Sequence, residues 1–252
     1  LYTQVGYPRQ IVPISSTEAI VSDLERQLVR IRTVPPYGEP LEYIPVEKWI
    51  EHLVVTENKL FGLTSEGLYV FDLDQISKQQ GRVILEVKNE EVMKSCQLQV
   101  DYRGYIWALM HKEKEEKVTG LSFLGIDPIS EKVVVSYTLP FEISENPLSG
   151  DVVGAIQYNC TDTDSTKHWI YFSVKTHIGW QDDGQQITQQ SVYRMQVDTG
   201  KFELYRHLPG TKTMYGFAIG PHGDVYLCDC PDFSAQRGYV RKYSSDGAVL
   251  NY

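Results

Sequence analysis

The chain has 252 residues, of which 42% are hydrophobic and 23% charged, an ordinary balance for a globular protein that excludes wholesale disorder. Acidic residues outnumber basic ones by 33 to 24, so the net charge of -9 repels the phosphate backbone of nucleic acids. No apolar run approaches the roughly 18 residues that a membrane-spanning helix needs. These numbers argue against nucleic-acid binding and against a helical membrane protein.

Short strands are the predicted elements throughout the chain. Aromatic residues make up 12% of the sequence, and they favour strands. Apolar and alternating runs recur between turn residues, whereas helical periodicity is almost absent. The stretch "NKLFGLTSEGLYVFDLD" (58–74) shows the unit clearly, with two strands joined by a tight "SEG" turn.

The same unit recurs along the chain. Its copies are "TEAIVSD" with "QLVRIRTV" (17–34), then 58–74, then "RGYIWALMHK" with "VTGLSFLGIDPISEKVVVSYTLP" (103–140), "KHWIYFSV" with "QSVYRMQVDTGKFELYRHLP" (167–209), and 223–252. An apolar strand precedes each copy: "RQIVPI", "WIEHLVV", "SCQLQVD", "VVGAIQY" and "MYGFAIG". Each unit therefore has four antiparallel strands, at a period of roughly 40–60 residues.

One four-stranded sheet cannot bury both of its faces, but radial packing of several sheets buries them, as in a β-propeller. We therefore predict an all-β fold: a single β-propeller domain over residues 1–252, built from four-stranded antiparallel blades. Five blades are visible in the sequence, and five to seven fit the repeat. The first residue is not Met and no signal-peptide pattern follows, so we expect a trimmed chain that lacks N-terminal residues.

Two stretches resemble a known group of propellers. "VGYPRQI" (5–11) resembles the blade junction of YVTN-type, YncE-like propellers, and residues 223–252 resemble the last blade of surface-lipoprotein propellers of gut Bacteroidetes. The matching features are Asp229, Gly238–Val240 and Tyr243–Gly247, with one extra residue before Asp246. "GYIWALM" and "LGIDPISEKVVVSYTLP" are similar to internal blades of the same group.

This resemblance implies export to the outer-membrane surface or the periplasm, with tethering by a lipid anchor that this chain does not contain. Members usually have about seven blades, more than the sequence shows here. One branch captures vitamin B12 above an outer-membrane transporter. The implied partners are a small-molecule ligand (a corrinoid or a glycan) or an outer-membrane protein. No ligand-contacting motif of that branch is present, so no residue role is carried over.

The "CDC" motif near the C-terminus has a metal or redox interpretation and a packing interpretation. Cys228 and Cys230 fall on the same face of a predicted strand. Zinc sites usually use a second cysteine pair, but Cys96 and Cys160 lie in the first strands of other blades. Free cysteines are often buried, so packing in a core between blades is favoured. We predict no metal site and no cofactor.

The acidic loop "NCTDTDST" (159–166) groups Asp162 and Asp164 with hydroxyl oxygens that suit calcium. It lacks the downstream Gly and Glu of an EF-hand loop, which favours a solvated turn over an ion site. Asn159, Cys160 and Thr161 form a glycosylation sequon, which carries no weight if the resemblance to bacterial propellers holds.

No catalytic signature stands out. The sequence has no G-x-S-x-G elbow, and its six histidines are scattered. Asp182 and Asp183 are adjacent, so on a strand they point apart, whereas glycosidase carboxylates must face one another across a cleft. We therefore predict that the protein is not an enzyme.

Loop length is the most informative irregularity. Connections between second and third strands are predicted to lengthen along the chain: "HKEKEEK" (111–117, a solvated loop), then 175–190, then 229–238, and long loops in compact folds are often functional. The predicted ligand-binding residues are His177, Trp180, Asp182, Phe233 and Arg237 in these loops, with Trp49 and Tyr215 at blade junctions. Aromatic faces with a few polar groups suit a sugar, a corrinoid or a protein partner. Alternatively, Trp180 and Phe233 merely fold the loops back on the sheet.

The sequence is consistent with three candidate functions. The first is a non-catalytic cell-surface propeller that binds a ligand or partner through its long-loop face, in nutrient capture. The alternative is a propeller enzyme, a lyase or hydrolase, with its site at the mouth of the central tunnel. A third is a purely structural interaction module.

Overall fold

The structure is a computed structural model. It describes residues 8–23, 27–37, 40–64, 66–78, 81–86, 91–92, 98–114, 117–139, 153–159, 167–180, 186–209, 214–220, 222–232, 237–245 and 248–251. Apart from a single 3-10 turn at Leu73–Gln75, the regular elements of these residues are β-strands. None of the described residues belongs to a helix long and apolar enough to cross a membrane.

Two compact units make up the chain, and each is described by itself. The first unit comprises residues 1–110 and 123–136, and the second comprises 111–122 and 137–252.

The first two blades belong to the first unit. Blade 1 consists of β1 (Pro8–Pro13), β2 (Glu18–Asp23), β3 (Gln27–Arg32) and β4 (Pro40–Pro45). Blade 2 consists of β5 (His52–Thr56), β6 (Lys59–Thr64), β7 (Gly67–Asp72) and β8 (Arg82–Glu86). Neighbouring strands are antiparallel in both. Glu57 and Asn58 have positive φ angles of 50° and 55°, which suits a tight hairpin between β5 and β6.

The residues of blade 3 are divided between the two units. Its strands are β9 (Glu91–Val92), β10 (Leu98–Val100), β11 (Ile106–Lys114), β12 (Lys117–Asp127) and β13 (Lys132–Leu139). The order is β10-β11-β12-β13, and β9 also pairs with β11.

The last two blades belong to the second unit. Blade 4 consists of β14 (Val153–Asn159), β15 (Trp169–Trp180), β16 (Gln186–Gln196) and β17 (Phe202–Leu208). Blade 5 consists of β18 (Met214–Ile219), β19 (Val225–Asp232), β20 (Arg237–Tyr243) and β21 (Val249–Asn251). All their pairings are antiparallel.

First strands of successive blades lie beside one another within each unit. In the first unit β5 contacts both β1 and β10, and in the second unit β14 contacts β18. Sheets arranged through their first strands are blades of a propeller. The fold class is therefore an all-β propeller of four-stranded antiparallel blades, as predicted, and the described residues form five blades.

The core of each unit lies between its blades. In the first unit, buried residues of blades 1 and 2 form one cluster: Val12, Ile20, Leu28, Ile44, Ile50, Leu53, Leu60, Phe71 and Ile76. In the second unit, blades 4 and 5 share another: Trp169, Tyr171, Val192, Leu208, Ile219, Val225, Leu227 and Tyr243. Burial of apolar surface between facing sheets is the main stabilising term of such an arrangement.

The prediction of three long loops is wrong, because most of the residues concerned belong to strands. β11 and β12 leave only 115–116 between them, β15 and β16 only 181–185, and β19 and β20 only 233–236. Backbone groups in a long connection need partners, and a hairpin supplies them within the connection itself. In blade 4, no described strand flanks the pairs from Thr176↔Gln189 to Trp180↔Gln186. We call these paired residues of β15 and β16 the arm.

The start of the first strand and the second-to-third hairpin lie at the same end of a blade. In blade 1, Pro8 at the start of β1 is opposite Asp23 at the end of β2. In blade 5, Met214 at the start of β18 is opposite Asp229. We call this the hairpin end of a blade.

Candidate functional site

A β-bulge marks the hairpin end of three blades. In β1, Pro8 is opposite Asp23 and Gln10 is opposite Ser22, so Arg9 is the extra residue. In β18, Tyr215 is the extra residue between Met214 and Gly216, and β14 has a similar irregularity after Val153. Bulges redirect side chains and are frequent beside functional sites. Tyr215 was predicted from the sequence, whereas Arg9 was missed.

Arg9 lies at the centre of a group of polar side chains in the first unit. Its guanidinium carbon is 5.2 Å from the ring centroid of Trp49, a predicted site residue that is partly buried just before β5. Glu51 and His52 follow Trp49 at the start of β5, and the charge of Arg9 influences the pKa of both. We call Arg9, Trp49, Glu51 and His52 the junction cluster.

Gln10 holds the two strands of the junction cluster together. Its side-chain amide donates to the carbonyl oxygen of Leu53 at 3.0 Å and accepts from the Leu53 N–H at 2.6 Å. This pair of hydrogen bonds ties β1 to β5 directly beside Arg9 and His52. These bonds fix Arg9 and His52 on neighbouring strands, and Trp49 and Glu51 immediately precede β5, which favours a fixed geometry.

Several polar groups around the cluster have no hydrogen-bond partner among the described residues. These are the buried indole Nε1 of Trp49 and the hydroxyl of Ser22, a residue only 1% exposed and opposite Gln10. Within the part of the chain that the structure describes, the side chains of Glu51 and His52 also form no hydrogen bond. Buried polar groups in native proteins are nearly always satisfied, by protein or by a bound molecule.

Burial changes the titration of two members of the cluster. It raises the pKa of Glu51, an effect that the positive charge of Arg9 partly offsets. Burial and, to a lesser extent, the positive charge of Arg9 together lower the pKa of His52 to about 4. The imidazole is therefore neutral at pH 7 and can donate one hydrogen bond and accept another. Perturbed titration of grouped residues is common at functional sites.

The other predicted site residues lie in the second unit. His177 and Trp180 are in the β15–β16 arm, Tyr215 is at the bulge of β18, and Arg237 begins β20. Asp182 and Phe233 lie outside the described residues. The acidic loop with Asp162 and Asp164 also lies outside the described residues. The choice between a solvated turn and an ion site there rests on the sequence alone.

The register of the arm places two predicted positions together. His177 pairs with Thr188 and Trp180 with Gln186, with a bulge between His177 and Gly179. Partners two residues apart along β16 fall on one face of the hairpin. Positions 177 and 180 therefore share a face, although their spacing of three along a regular strand would separate them.

Cys228 is exposed, so the prediction that it packs in a core between blades is wrong. It is opposite Gly216, and a Cβ added at Gly216 would have no described atom within 4 Å. The side chain of Cys230 is not among those described, and Cys96 and Cys160 lie outside the described residues. In the described ranges, no three His, Cys, Asp or Glu side chains are grouped as a metal site requires.

One serine–histidine pair does occur, in blade 4. The Ser191 hydroxyl lies 3.0 Å from Nδ1 of His207 on the neighbouring strand. Ser191 is only 2% exposed, so a substrate in solution cannot reach its hydroxyl. No described carboxylate contacts His207, so the pair lacks the orienting group of a catalytic triad.

Solved structures with a similar fold are propeller proteins. A candidate 6-phosphogluconolactonase of Bacteroides uniformis matches with a TM-score of 0.59 and 10% identity, over 99% of this chain and 70% of that chain. A protein assigned as TolB from Agrobacterium tumefaciens matches with a TM-score of 0.56 and 13% identity, over 97% and 79%. The Dos1 propeller matches with a TM-score of 0.58 and 9% identity, over 97% and 58%. The chain has a propeller fold.

These likenesses extend to the fold alone, because the identities are so low. No protein-family model matches the sequence, and no curated protein matches it. The YncE-like and surface-lipoprotein features therefore rest on the sequence resemblance. A propeller fold does not determine the function, which depends on the residues of the site.

Proposed function

We propose that this protein is a non-catalytic propeller that binds a ligand or a protein partner at the hairpin ends of its blades. The observation that carries this proposal is the junction cluster. There the exposed guanidinium of Arg9 lies over the partly buried ring of Trp49, and its charge influences the pKa of a carboxyl group, Glu51, and of a neutral imidazole, His52. Aromatic surface with a few unsatisfied polar groups is the usual composition of a small-molecule site.

The biological setting of the proposal comes from the sequence resemblance. An exported protein on the outer-membrane surface or in the periplasm, attached by a lipid anchor, suits nutrient capture. The ligand would then be a corrinoid or a glycan, and an outer-membrane protein would be the partner. Within the second unit, the arm positions 177 and 180, Tyr215 and Arg237 stay predicted contacts from the sequence.

A thermal-shift screen against cyanocobalamin, neutral glycans and acidic sugars tests this proposal. We expect at least one of these ligands to raise the melting temperature of the wild type, and Trp49→Phe to reduce that rise. Tyr37→Phe is the matched control, because Tyr37 is 61% exposed in the turn between β3 and β4, away from the cluster. No stabilisation by any ligand, or equal losses in both variants, would contradict the proposal.

Glu51 and His52 also favour a second candidate, a propeller enzyme. A carboxyl group with a raised pKa and a neutral imidazole, both within reach of the charge of Arg9, are the group types that acid–base catalysis uses. Mass spectrometry of a bound ligand after incubation separates the two functions. An enzyme converts the ligand, and Glu51→Gln then abolishes turnover while binding persists. A binding protein returns the ligand unchanged.

A further inference from the structure

The guanidinium of Arg9 differs from the other cations that lie over aromatic rings. Each of those other described cations also holds an oxygen acceptor: Arg103 with Asp101, Arg194 with Glu203, Lys242 with Asp224, and Arg206 with the carbonyl oxygens of Tyr243 and Ser244. Arg9 stacks on Trp49 in the same way, yet among the described residues it has neither an ion pair nor a hydrogen bond. No described residue supplies an acceptor to its guanidinium.

Glu51 does not fill this role. Its carboxyl group is close enough to feel the charge of Arg9, but the two side chains form no hydrogen bond, and burial outweighs that charge in setting the pKa of Glu51. Arg9 is also exposed, so a molecule from solution can reach it. The fork of N–H donors on a guanidinium matches a carboxylate or a phosphate bidentately.

We propose that the junction cluster binds the carboxylate of a hydroxylated organic acid, of the hexuronate type, with Arg9 as the anion-binding residue. This inference rests on the proposed binding function and specifies its ligand class. A carboxylate is favoured over a phosphate because it brings one negative charge rather than nearly two beside Glu51. The planar carboxylate also pairs side by side with a guanidinium that lies over an aromatic ring.

The remaining members of the cluster suit the hydroxylated body of such a ligand. Glu51 and the neutral imidazole of His52 accept hydrogen bonds from hydroxyl groups, and the imidazole also donates one. Trp49 supplies an apolar face to a sugar ring, the combination of ring and polar groups that small-molecule sites use. The bulge at Arg9 and the Gln10 clamp on Leu53 fix these groups on neighbouring strands.

Isothermal titration with D-glucuronate, D-glucose and inorganic phosphate tests the inference on the full chain. We expect D-glucuronate to bind at least tenfold more tightly than D-glucose and more tightly than phosphate. Arg9→Gln should weaken glucuronate binding at least tenfold. Arg9→Lys should recover only part of it, because an ammonium lacks the planar fork. Lys132→Gln is the control, since Lys132 is exposed at the start of β13, and it should change nothing.

Each other result overturns the inference. Equal binding of glucose and glucuronate, or unchanged glucuronate binding by Arg9→Gln, removes Arg9 as an anion site. Tighter binding of phosphate assigns the site to phosphate instead. If cyanocobalamin or a neutral glycan stabilises the protein while glucuronate does not bind, this inference fails and the proposed binding function stands.

Discussion

At the scale of single residues, His52 connects the candidate site to stability. Its pKa is lowered from 6.5 to about 4 by burial and by Arg9, so between these pH values the unfolded chain binds more protons than the folded protein. Stability attributable to His52 is therefore complete above pH 6.5 and is lost as the pH falls toward 4, by up to about 3 kcal/mol.

Urea unfolding at pH 7 and pH 4.5 measures this dependence. His52→Gln should lose less stability between the two pH values than the wild type does. Glu51 acts in the opposite sense, because its raised pKa contributes stability at low pH that is lost as the pH rises. The variant, which keeps Glu51, therefore isolates the histidine. Parallel pH profiles would show that the imidazole is not held in a buried, neutral form.

Asp101 is a second residue with a testable role, and that role concerns the stability of the fold rather than the candidate site. Its side chain is 0% exposed and accepts hydrogen bonds from the Arg103 guanidinium, the Tyr105 N–H and the Trp107 indole. Asp101→Asn places an amide among these donors and removes the buried ion pair, so we expect a loss of about 3 kcal/mol in urea unfolding. Asp74→Asn, at an exposed carboxylate bonded to Asn58, should stay within about 0.5 kcal/mol of the wild type.

At the scale of elements, the turn between β16 and β17 requires a glycine at position 200. Gly200 has a φ of 67°, and a Cβ there would lie 2.4 Å from the ring of Tyr137. Gly200→Ala should cost about 2 kcal/mol, from backbone strain and from overpacking. Gly216→Ala is the control, because no described atom lies within 4 Å of its added Cβ, and it should be nearly neutral. Equal melting temperatures for the two variants would contradict the described contact.

The strands show how far local sequence predicts elements. Alternation and turn residues located the described strands except β4, β8 and the two-residue β9. β4 is bounded by Pro40 and Pro45 and reads as a turn, but an outer strand tolerates proline because its free edge needs no donor. The arm of blade 4 was missed because Gly, Gln and Asp in 175–190 have low strand propensity. Pairing across the hairpin outweighs that propensity.

At the scale of the whole molecule, the repeat predicts the propeller class because every blade must bury its faces against a neighbour. Site chemistry is less predictable. Trp49 was found as an aromatic at a blade junction, but Arg9 looked like an ordinary surface arginine in the sequence. Only the bulge in β1 and the packing of β1 on β5 bring it over Trp49. The sequence also did not reveal that the side chain of Cys228 is exposed.

Hydrogen exchange with and without the screened ligand that most raises the melting temperature tests the central claim most directly. We expect slower exchange in peptides covering residues 8–12 and 49–55, where the junction cluster lies. No change is expected at the opposite end of the same blades, in the turns at 14–17 and 57–58. Protection confined to those turns, or absent from 8–12 and 49–55, would contradict a binding site at the hairpin ends.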